Sequence, residues 1–327
     1  MVTRIICIVL TVAALSASAS AADVISDVRA AIARGDFAAA EEILTRYRAE
    51  QGSTPEALEA LSWLGRGALA AGSLEKAETY ARQTHEQALA ALRERPIDAE
   101  SHLPIALGAA IEVEAQVLAA RGQRTEAVTF LERQLAAYRG TSIRARLQKN
   151  IHLLSLEAKP VPSLTAREFL GPPLPDREGR PVVLFFWAHW CPDCKQMAPT
   201  LAELEAAYGA DGLLVVAPTQ RYGYVKRGAP ATPDQELAYI EQVRQESYGG
   251  VAHMAVPVSA EDFQTFGVST TPTLVLVDRK GRVTLYHPGK MTQAELEPHV
   301  RALVARTAAP SPPPKSGGSS TPQRESR

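Results

Sequence analysis

The sequence predicts two folded units: an all-α unit, followed by an α/β unit in which a mixed sheet has helices on both faces. The chain has 327 residues, which is enough for two domains of ordinary size. From Asp23 to about Glu157, apolar side chains recur at spacings of three and four, a pattern that predicts amphipathic helices. After Pro162 the apolar residues instead form short, continuous, β-branched runs, which are typical of strands buried on both faces.

Composition and motif content exclude several classes of protein. Apolar residues make up 46% of the chain, which excludes a wholly disordered chain and a multi-span membrane protein. The 35 Lys and Arg nearly balance the 36 Asp and Glu, so no global field attracts nucleic acid or anionic lipid. Three cysteines are too few for a disulfide-stapled scaffold or a four-thiolate zinc site. Since Walker, G-x-G-x-x-G and H-E-x-x-H motifs are also missing, we expect no metal or nucleotide cofactor and no nucleic-acid partner.

Residues 1–22 have the pattern of a secretory signal peptide. Arg4 precedes an apolar run from Ile5 to about Leu15, and small residues then offer cleavage sites after Ala19 or Ala21. The apolar run is shorter than the ~20 residues of a spanning helix, so we expect membrane attachment only if the signal stays uncleaved. The protein is therefore predicted to be exported, to the periplasm or another extracytoplasmic compartment.

Cleavage of this signal would remove Cys7 and leave Cys191 and Cys194 as the cysteines of the mature chain. An exported protein enters an oxidising compartment, where a stray thiol is a liability. In the mature chain, thiol and disulfide chemistry would therefore be confined to one C-x-x-C pair.

Residues 23–157 are the predicted helical domain. Three segments, starting at Gly35, Gly72 and Gly122, share a glycine, an alanine five residues later and a bulky residue eight later. The stretch from Trp63 to Ala81 resembles a tetratricopeptide repeat (TPR), although the glycines lie 37 and 50 residues apart and not a constant ~34. This TPR-like domain is expected either to offer a concave surface to a protein partner or to be a helical bundle that serves as spacer or dimerisation element.

Two further segments are predicted to have no core of their own. Residues 158–163 are a predicted linker, since Pro160 and Pro162 prevent helix continuation. Residues 308–327 are rich in Pro, Ser and Gly, with almost no large apolar residue, which predicts a disordered tail.

Residues 164–307 are the predicted α/β domain, in which apolar strands alternate with helices along the chain. The predicted order is strand Val182–Ala188, helix Lys195–Tyr208, strand Leu213–Ala217, a helix within 220–248, a hairpin of Leu274–Asp278 and Val283–Tyr286, and helix Thr292–Ala305. Such an order is typical of a mixed sheet covered on both faces.

The C-x-x-C pair lies where the first of these strands meets the following helix. Cys191 is thus at a helix N-terminus, where unpaired N–H groups and the helix dipole favour an anion, and it is the predicted nucleophile. Cys194, one turn deeper, is the predicted resolving thiol, because its sulfur can close a small ring with Cys191. Pro192 suits the first turn of a helix and stiffens the loop.

Other interpretations of the pair carry less weight. Half of a zinc site is disfavoured because no second cysteine pair and no suitably spaced His completes a tetrahedral set. Copper(I) binding by the two thiolates is chemically feasible. A purely structural disulfide would add little stability across so short a loop. The position at a strand-to-helix turn favours redox chemistry.

The stretch Phe185–Lys195 (FFWAHWCPDCK), with Pro199 beyond it, resembles the active-site segment of the thioredoxin superfamily. A second match is Ser269–Thr273 (STTPT), directly before a predicted buried strand. The likeness extends from about Leu164 to Arg306. With its signal sequence and its extra segment after the second strand, the chain looks most like the exported TlpA/ResA-type thiol–disulfide oxidoreductases.

This resemblance implies a thioredoxin-like fold and thiol–disulfide exchange. It also implies that Pro272 is cis and faces the two cysteines, and that Thr271 offers backbone groups to an incoming peptide as a short strand. Trp190, Pro192 and Asp193 are the other residues expected to bind or orient substrate.

The sequence departs from the family where carboxylates are expected. Phe185 replaces the buried acid six residues before the first cysteine, and Met197 replaces a Glu found in some TlpA-type reductases. Solvent or Asp193 would then handle the proton of Cys194. The Asp193 anion also opposes a thiolate on Cys191 and should raise its pKa, which favours the disulfide and predicts a reducing pair.

Residues 220–248 are extra relative to a minimal thioredoxin. They combine an aromatic and basic loop, Arg221–Gly228, with a helix. Thr232 is the predicted cap of this helix, and Glu236 follows it in the sequence. This segment is either part of a substrate surface or a solvent-exposed insertion with a covering helix, and we favour the second interpretation. His189, beside the cysteines, is expected to be an exposed modulator and not a general base.

The sequence therefore predicts an exported, thioredoxin-like reductase that exchanges electrons with protein disulfide or dithiol substrates and an upstream donor. The helical domain would dock a partner or position the enzyme. The alternative is a binding protein, an interaction scaffold or copper chaperone, that uses the same fold without turnover. A peroxidase is a weaker alternative, because the residues before Cys191 lack the P-x-x-x-[TS]-x-x-C setting of a peroxidatic cysteine.

Overall fold

The structure, a computed structural model, describes residues 21–305 of the chain. The predicted tail 308–327, Cys7 and all but the last two residues of the predicted signal lie outside the described residues. The chain divides into two compact units between Ser155 and Leu156.

The first unit is built from helices, as the sequence predicts. A single turn of 3-10 helix, Ile97–Ala99, precedes the longest of them. The helices are α1 (Ala21–Ala33), α2 (Phe37–Gln51), α3 (Pro55–Ala70), α4 (Leu74–Ala91), α5 (His102–Ala120), α6 (Arg124–Ala137) and α7 (Arg144–Ser155).

The repeated glycines lie in the turns of three helical hairpins. Gly35, Gly72 and Gly122 have φ angles of 76°, 74° and 83°, between α1 and α2, α3 and α4, and α5 and α6. Glycine adopts this left-handed conformation without a Cβ penalty, which explains its recurrence at the end of a helix. On the second helix of each hairpin the alanine five residues later is fully buried: Ala40, Ala77 and Ala127. The self-similarity in the sequence thus corresponds to three helix pairs.

Helix α5 forms the centre of the first unit, where it packs against α3, α4, α6 and α7. Among the described residues it is the helix with the length and apolar composition to cross a membrane, but 56% of its apolar window is buried inside the unit. A helix that is apolar on most sides is also what the core of a bundle requires.

Besides one turn of 3-10 helix, Lys226–Gly228, the second unit contains six strands and five α-helices within the described residues. They are β1 (Glu168–Leu170), β2 (Val182–Phe186), α8 (Pro192–Gln196), α9 (Ala198–Tyr208), β3 (Leu214–Val216), α10 (Pro233–Tyr248), β4 (Val256–Val258), α11 (Ala260–Thr265), β5 (Thr273–Val277), β6 (Val283–Pro288) and α12 (Gln293–Ala305).

The central sheet has the strand order β3–β2–β5–β6, with β2 parallel to β3 and antiparallel to β5. Every residue of β2 is buried, because its alternate side chains pack on opposite faces. Val183 and Phe185 join the core formed with α9, α10 and α12. Leu184 and Phe186 pack on the other face with Phe263 of α11. The predicted mixed sheet with helices on both faces is therefore confirmed.

Two features differ from the predicted order of elements. The antiparallel pair β1 and β4 is missed by pattern analysis, because each strand has three residues and β4 contains Pro257. The helix predicted over Lys195–Tyr208 is two helices, α8 and α9, that meet at Met197. The break follows from Pro199, which has no N–H to continue the helical ladder.

The segment predicted as a linker is paired with the edge of the second unit's sheet. The N–H groups of Ala158 and Val161 donate to the carbonyls of Val283 and Gly281, and the N–H of Val283 donates to Lys159. These bonds tie the start of the second unit to the β5–β6 hairpin.

Candidate active site

The two cysteines lie where β2 leads into α8. Cys191 is the N-cap of α8 and Cys194 lies in its first turn, so their Cα atoms are 5.3 Å apart and their sulfurs form a disulfide. Cys194 is completely buried, whereas Cys191 retains 2% of its surface. The backbone N–H of Cys194 donates to the Cys191 sulfur over 3.1 Å. Cys191 is therefore the less deeply buried cysteine and the one whose anion an N–H group would stabilise.

The loop before β5 contacts this disulfide. The Thr271–Pro272 peptide bond is cis, as the resemblance implies. The carbonyl oxygen of Thr271 lies 3.4 Å from the Cys191 sulfur, although the two residues are 80 positions apart. Pro272 is buried, and its carbonyl accepts a hydrogen bond of 2.8 Å from the N–H of Gly289, at the end of β6. The two sequence motifs thus meet at one sulfur.

Trp190, Pro192 and Asp193 flank the disulfide along the chain. Trp190 is 47% exposed, and its indole contacts the ring of Tyr222 edge to face. Pro192 is the exposed first residue of α8. The carboxylate of Asp193 is half-exposed and pairs with Lys290 at 3.0 Å. An open apolar ring and a paired charge therefore border the disulfide.

The prediction that His189 is exposed is wrong. Its side chain is 1% exposed, and its Nε2 lies 3.1 Å from Oε1 of Glu236, which is equally buried. The reason is that the segment 220–248 packs over His189. This segment therefore covers part of the site and is not only a solvent-exposed insertion.

Three tyrosines surround the imidazole of His189. Tyr222, Tyr224 and Tyr239 contact it edge to face, with ring centroids 5.4 to 5.6 Å away. Burial lowers the pKa of His189, an effect that its hydrogen bond to Glu236 partly opposes. Since a carboxylate can only accept, the Nε2–H of His189 is the donor in this hydrogen bond. Its Nδ1 is buried and has no hydrogen-bond partner among the described residues.

Glu236 is a site residue that the sequence analysis did not assign. The capping box of α10 is formed by Thr232 and Gln235, so Glu236 is free for another role. Its carboxylate accepts the backbone N–H groups of Tyr222 (2.6 Å) and Gly223 (2.8 Å), in addition to His189. A single buried carboxylate therefore holds together the loop before α10 and the turn before Cys191.

The sequence does contain one signal for the burial of Glu236. It precedes Ile240 and Val243 by four and seven residues and so shares their buried face of α10. A carboxylate on an apolar face needs a partner. The partner is His189, 47 positions away, which local spacing does not reveal.

The interior beside the disulfide is apolar. Phe185, at the position of the family's buried acid, is fully buried, and Met197 is almost so. Within residues 21–305, no three His, Cys, Asp or Glu side chains lie close enough together to hold a metal ion. The two sulfurs, held at bonding distance, can be joined and separated by thiol–disulfide exchange.

Comparisons with known proteins match this part of the chain. The profile of the family described as "Thioredoxin-like domain" matches residues 176–303. Thiol-disulfide oxidoreductase ResA of Geobacillus thermodenitrificans (strain NG80-2) is 26% identical over 130 residues, which are 40% of this chain and 67% of that protein. The ResA of Bacillus thuringiensis subsp. konkukian (strain 97-27) is 27% identical over 131 residues, 40% and 68% of the two chains.

One of the similar proteins has a solved structure. A secreted Mycobacterium tuberculosis disulfide oxidoreductase, described as homologous to E. coli DsbE, is 25% identical with a TM-score of 0.30. The match covers 38% of this chain and 84% of that one.

Proposed function

We propose that the thioredoxin-like domain of this chain is a thiol–disulfide oxidoreductase that reduces protein disulfides through Cys191 and Cys194. The observation that carries the proposal is the position of the Cys191 sulfur. It forms a disulfide with Cys194 at the start of α8, and it contacts the carbonyl of Thr271 before a cis proline. Relatives named thiol-disulfide oxidoreductase support the same class of reaction.

The reduced protein would react in two successive exchanges. The Cys191 thiolate attacks one sulfur of a substrate disulfide, so that a Cys191–substrate bond forms, the substrate bond breaks and a substrate thiolate leaves. The Cys194 thiolate then attacks the Cys191 sulfur, which restores the Cys191–Cys194 disulfide and releases the second substrate thiolate. Solvent protonates the products. Two electrons pass to the substrate, and an upstream dithiol donor returns the protein to its reduced form.

Burial and hydrogen bonding support these roles. Cys191 is the more accessible of the two cysteines and accepts an N–H group at its sulfur, which suits a nucleophile. Cys194 is fully buried and one turn away, which suits a thiol that reacts with its neighbour alone. The backbone of Thr271 and the exposed ring of Trp190 adjoin the same sulfur and would position a peptide substrate.

Reduction is the proposed direction because Asp193 places a negative charge next to the Cys191 thiolate. Lys290 pairs with this carboxylate and weakens its effect. The equilibrium of the pair with glutathione tests the direction: we expect a potential near the thioredoxin end of the scale. A value near that of DsbA would contradict the direction and leave the reaction class intact.

The proposed location is outside the cytoplasm, on the strength of the signal-like residues 1–22. The proposed role of the helical unit is to hold a protein partner or to position the enzyme. Helical-hairpin arrays commonly offer an extended surface for such contacts.

Reduction of insulin disulfides with dithiothreitol as donor tests the activity. We expect turnover by the wild type and loss of turnover to the uncatalysed rate in Cys191→Ser. Phe169→Ala, which removes an exposed ring on β1, is the control and should behave like the wild type. Equal, negligible rates for the wild type and Cys191→Ser would contradict the proposal and favour a scaffold or copper chaperone.

A further inference from the structure

We propose that the segment 220–248 is a substrate-specificity element. In this inference Tyr222, fixed by the buried Glu236, forms with Trp190 an aromatic surface beside Cys191. This surface binds a bulky apolar side chain that flanks the reacting cysteine of the substrate. The inference rests on the proposed disulfide exchange and adds to it the substrate feature that is recognised.

The rings form a continuous surface that starts at the reactive cysteine. Trp190, which directly precedes Cys191, is 47% exposed. Its ring centroid lies 5.4 Å from that of Tyr222, at an interplanar angle of 81°. Tyr224 continues the row, with its centroid 6.2 Å from Tyr222, and both tyrosines are half-buried. Partly open aromatic rings in contact with one another are a common recognition surface for apolar side chains.

Glu236 fixes the spacing within this aromatic surface. Its Oε1 accepts both the N–H of Tyr222 and Nε2–H of His189, the neighbour of Trp190. A carboxylate as deeply buried as this one is stable only while its hydrogen bonds are made. The two halves of the surface therefore keep a constant relative position before any substrate arrives, which lowers the entropy lost on binding.

The basic side chain next to Tyr222 in sequence is paired and does not compete with the rings. Arg221, next to Tyr222 in sequence, pairs with Glu168 at 2.7 Å and donates to the carbonyl of Pro233. The imidazole of His189 is buried and bonded to Glu236, so it is not presented at the surface. A bulky apolar or aromatic side chain therefore fits this surface better than a small polar one.

The experiment compares two disulfide-linked peptide dimers that differ in one residue beside the cysteine, Phe or Ser. The full chain is reduced with excess dithiothreitol, the dithiothreitol is removed, and the protein is mixed with each peptide. Each protein molecule then passes two electrons to one peptide disulfide. The rate constant of this single turnover is measured for each. One additional aromatic contact corresponds to about a three- to tenfold preference for the Phe peptide in the wild type.

Variants test which residues cause this preference for the Phe peptide. We expect Tyr222→Ala to reduce the Phe/Ser ratio to below about two and Tyr222→Phe to retain it. Phe169→Ala removes an exposed aromatic ring on β1, outside the surface, and should leave the ratio and the rates as in the wild type. Glu236→Gln should lower the ratio, because Glu236 is a positioning residue for the rings. A merely structural role would slow both peptides equally.

Two results would overturn the inference: equal rates for the two peptides with the wild type, or an unchanged ratio in Tyr222→Ala. Reduction of neither peptide by the wild type would instead refute the proposed function, and the inference with it.

Discussion

The Nζ of Lys290 lies 3.0 Å from Oδ1 of Asp193, the residue between Pro192 and Cys194, and 2.9 Å from Oε1 of Gln196. The lysine comes from the turn after β6, 97 positions along the chain. The negative charge that the C-x-x-C loop carries is therefore paired. A thiolate in this loop experiences a dipolar pair of charges and not a lone carboxylate.

Neutralising Lys290 and neutralising Asp193 should shift the redox potential of the cysteine pair in opposite directions. Lys290→Gln leaves the Asp193 charge unopposed, which disfavours the Cys191 thiolate and makes the potential more negative. Asp193→Asn leaves the lysine unopposed and makes it less negative. Both side chains are about half-exposed, so each shift should be small, about 5–20 mV, as expected for an exposed pair.

Equilibration with glutathione buffers of known ratio measures these potentials. The double variant, Lys290→Gln with Asp193→Asn, is the control and should return close to the wild-type value. A shift of the same sign in both single variants would show that the pair does not act through its charge.

Removing the resolving cysteine should trap substrates. In Cys194→Ser the mixed disulfide on Cys191 has no internal thiol to break it, so covalent complexes should accumulate. Acid quenching and non-reducing electrophoresis detect these complexes, and mass spectrometry identifies the captured proteins. Cys191→Ser should capture little, because Cys194 is fully buried. Equal capture by the two variants would contradict the assignment of nucleophile and resolving thiol.

Local spacing identifies the residues whose roles are local. The C-x-x-C pair closes its ring within one helical turn, and its position after an apolar strand is visible in the sequence. The glycines of the helical hairpins are equally visible, because each ends its own helix in the left-handed conformation. Pro272 is found through its motif directly before a buried strand. In these cases the neighbours along the chain supply the structural constraint.

The missed contacts join residues that only the loop paths bring together. Glu236 reaches His189 across 47 positions, and Lys290 reaches Asp193 across 97. Neither distance follows from a period of 2 or 3.6 residues, since each depends on the course of an irregular segment. The exposure expected for His189 is wrong for the same reason: the covering segment lies far away in the sequence.

His189 should make stability fall on mild acidification. Burial lowers the pKa of His189 below the ~6.5 expected in the unfolded chain, with Glu236 opposing and Lys195 assisting. Below pH ~6.5 the unfolded chain binds a proton that the folded chain does not, so the unfolding free energy decreases by up to ~1.4 kcal/mol per pH unit. The other titratable groups around the ring are Tyr222, Tyr224 and Tyr239.

Urea unfolding followed by tryptophan fluorescence at pH 7.5 and pH 5.5 measures this dependence. His189→Gln should reduce it, because glutamine keeps a donor for Glu236 but does not titrate. His253→Gln, whose side chain is exposed, is the matched control and should behave like the wild type. An identical pH dependence in His189→Gln and the wild type would show that another group is responsible.

Glu112 should govern acid stability of the helical unit. Its carboxylate on α5 lies 2.8 Å from Nε of Arg146 and 3.0 Å from Nζ of Lys149, both on α7, and it accepts from Asn150. Burial favours the neutral acid, but the two cations outweigh this effect and lower the pKa of Glu112 to about 2. The unfolded value is ~4.3. Since the folded pKa is the lower one, the stabilisation is complete above pH ~4.3 and is lost as pH falls towards about 2.

Glu112→Gln should therefore destabilise the protein near neutrality. It should also make the free energy of unfolding less dependent on pH between pH 7 and pH 3. Removing the carboxylate leaves two partly buried cations without their partner, for which we expect a loss of about 3 kcal/mol at pH 7. Urea unfolding followed by far-ultraviolet circular dichroism, at pH 7 and pH 3, separates the two effects. Glu78→Gln, which breaks the exposed pair with Arg121, should change the stability much less than Glu112→Gln does. If Glu112→Gln lost as much stability between pH 7 and pH 3 as the wild type does, the α5–α7 carboxylate would not be the group that acid protonates.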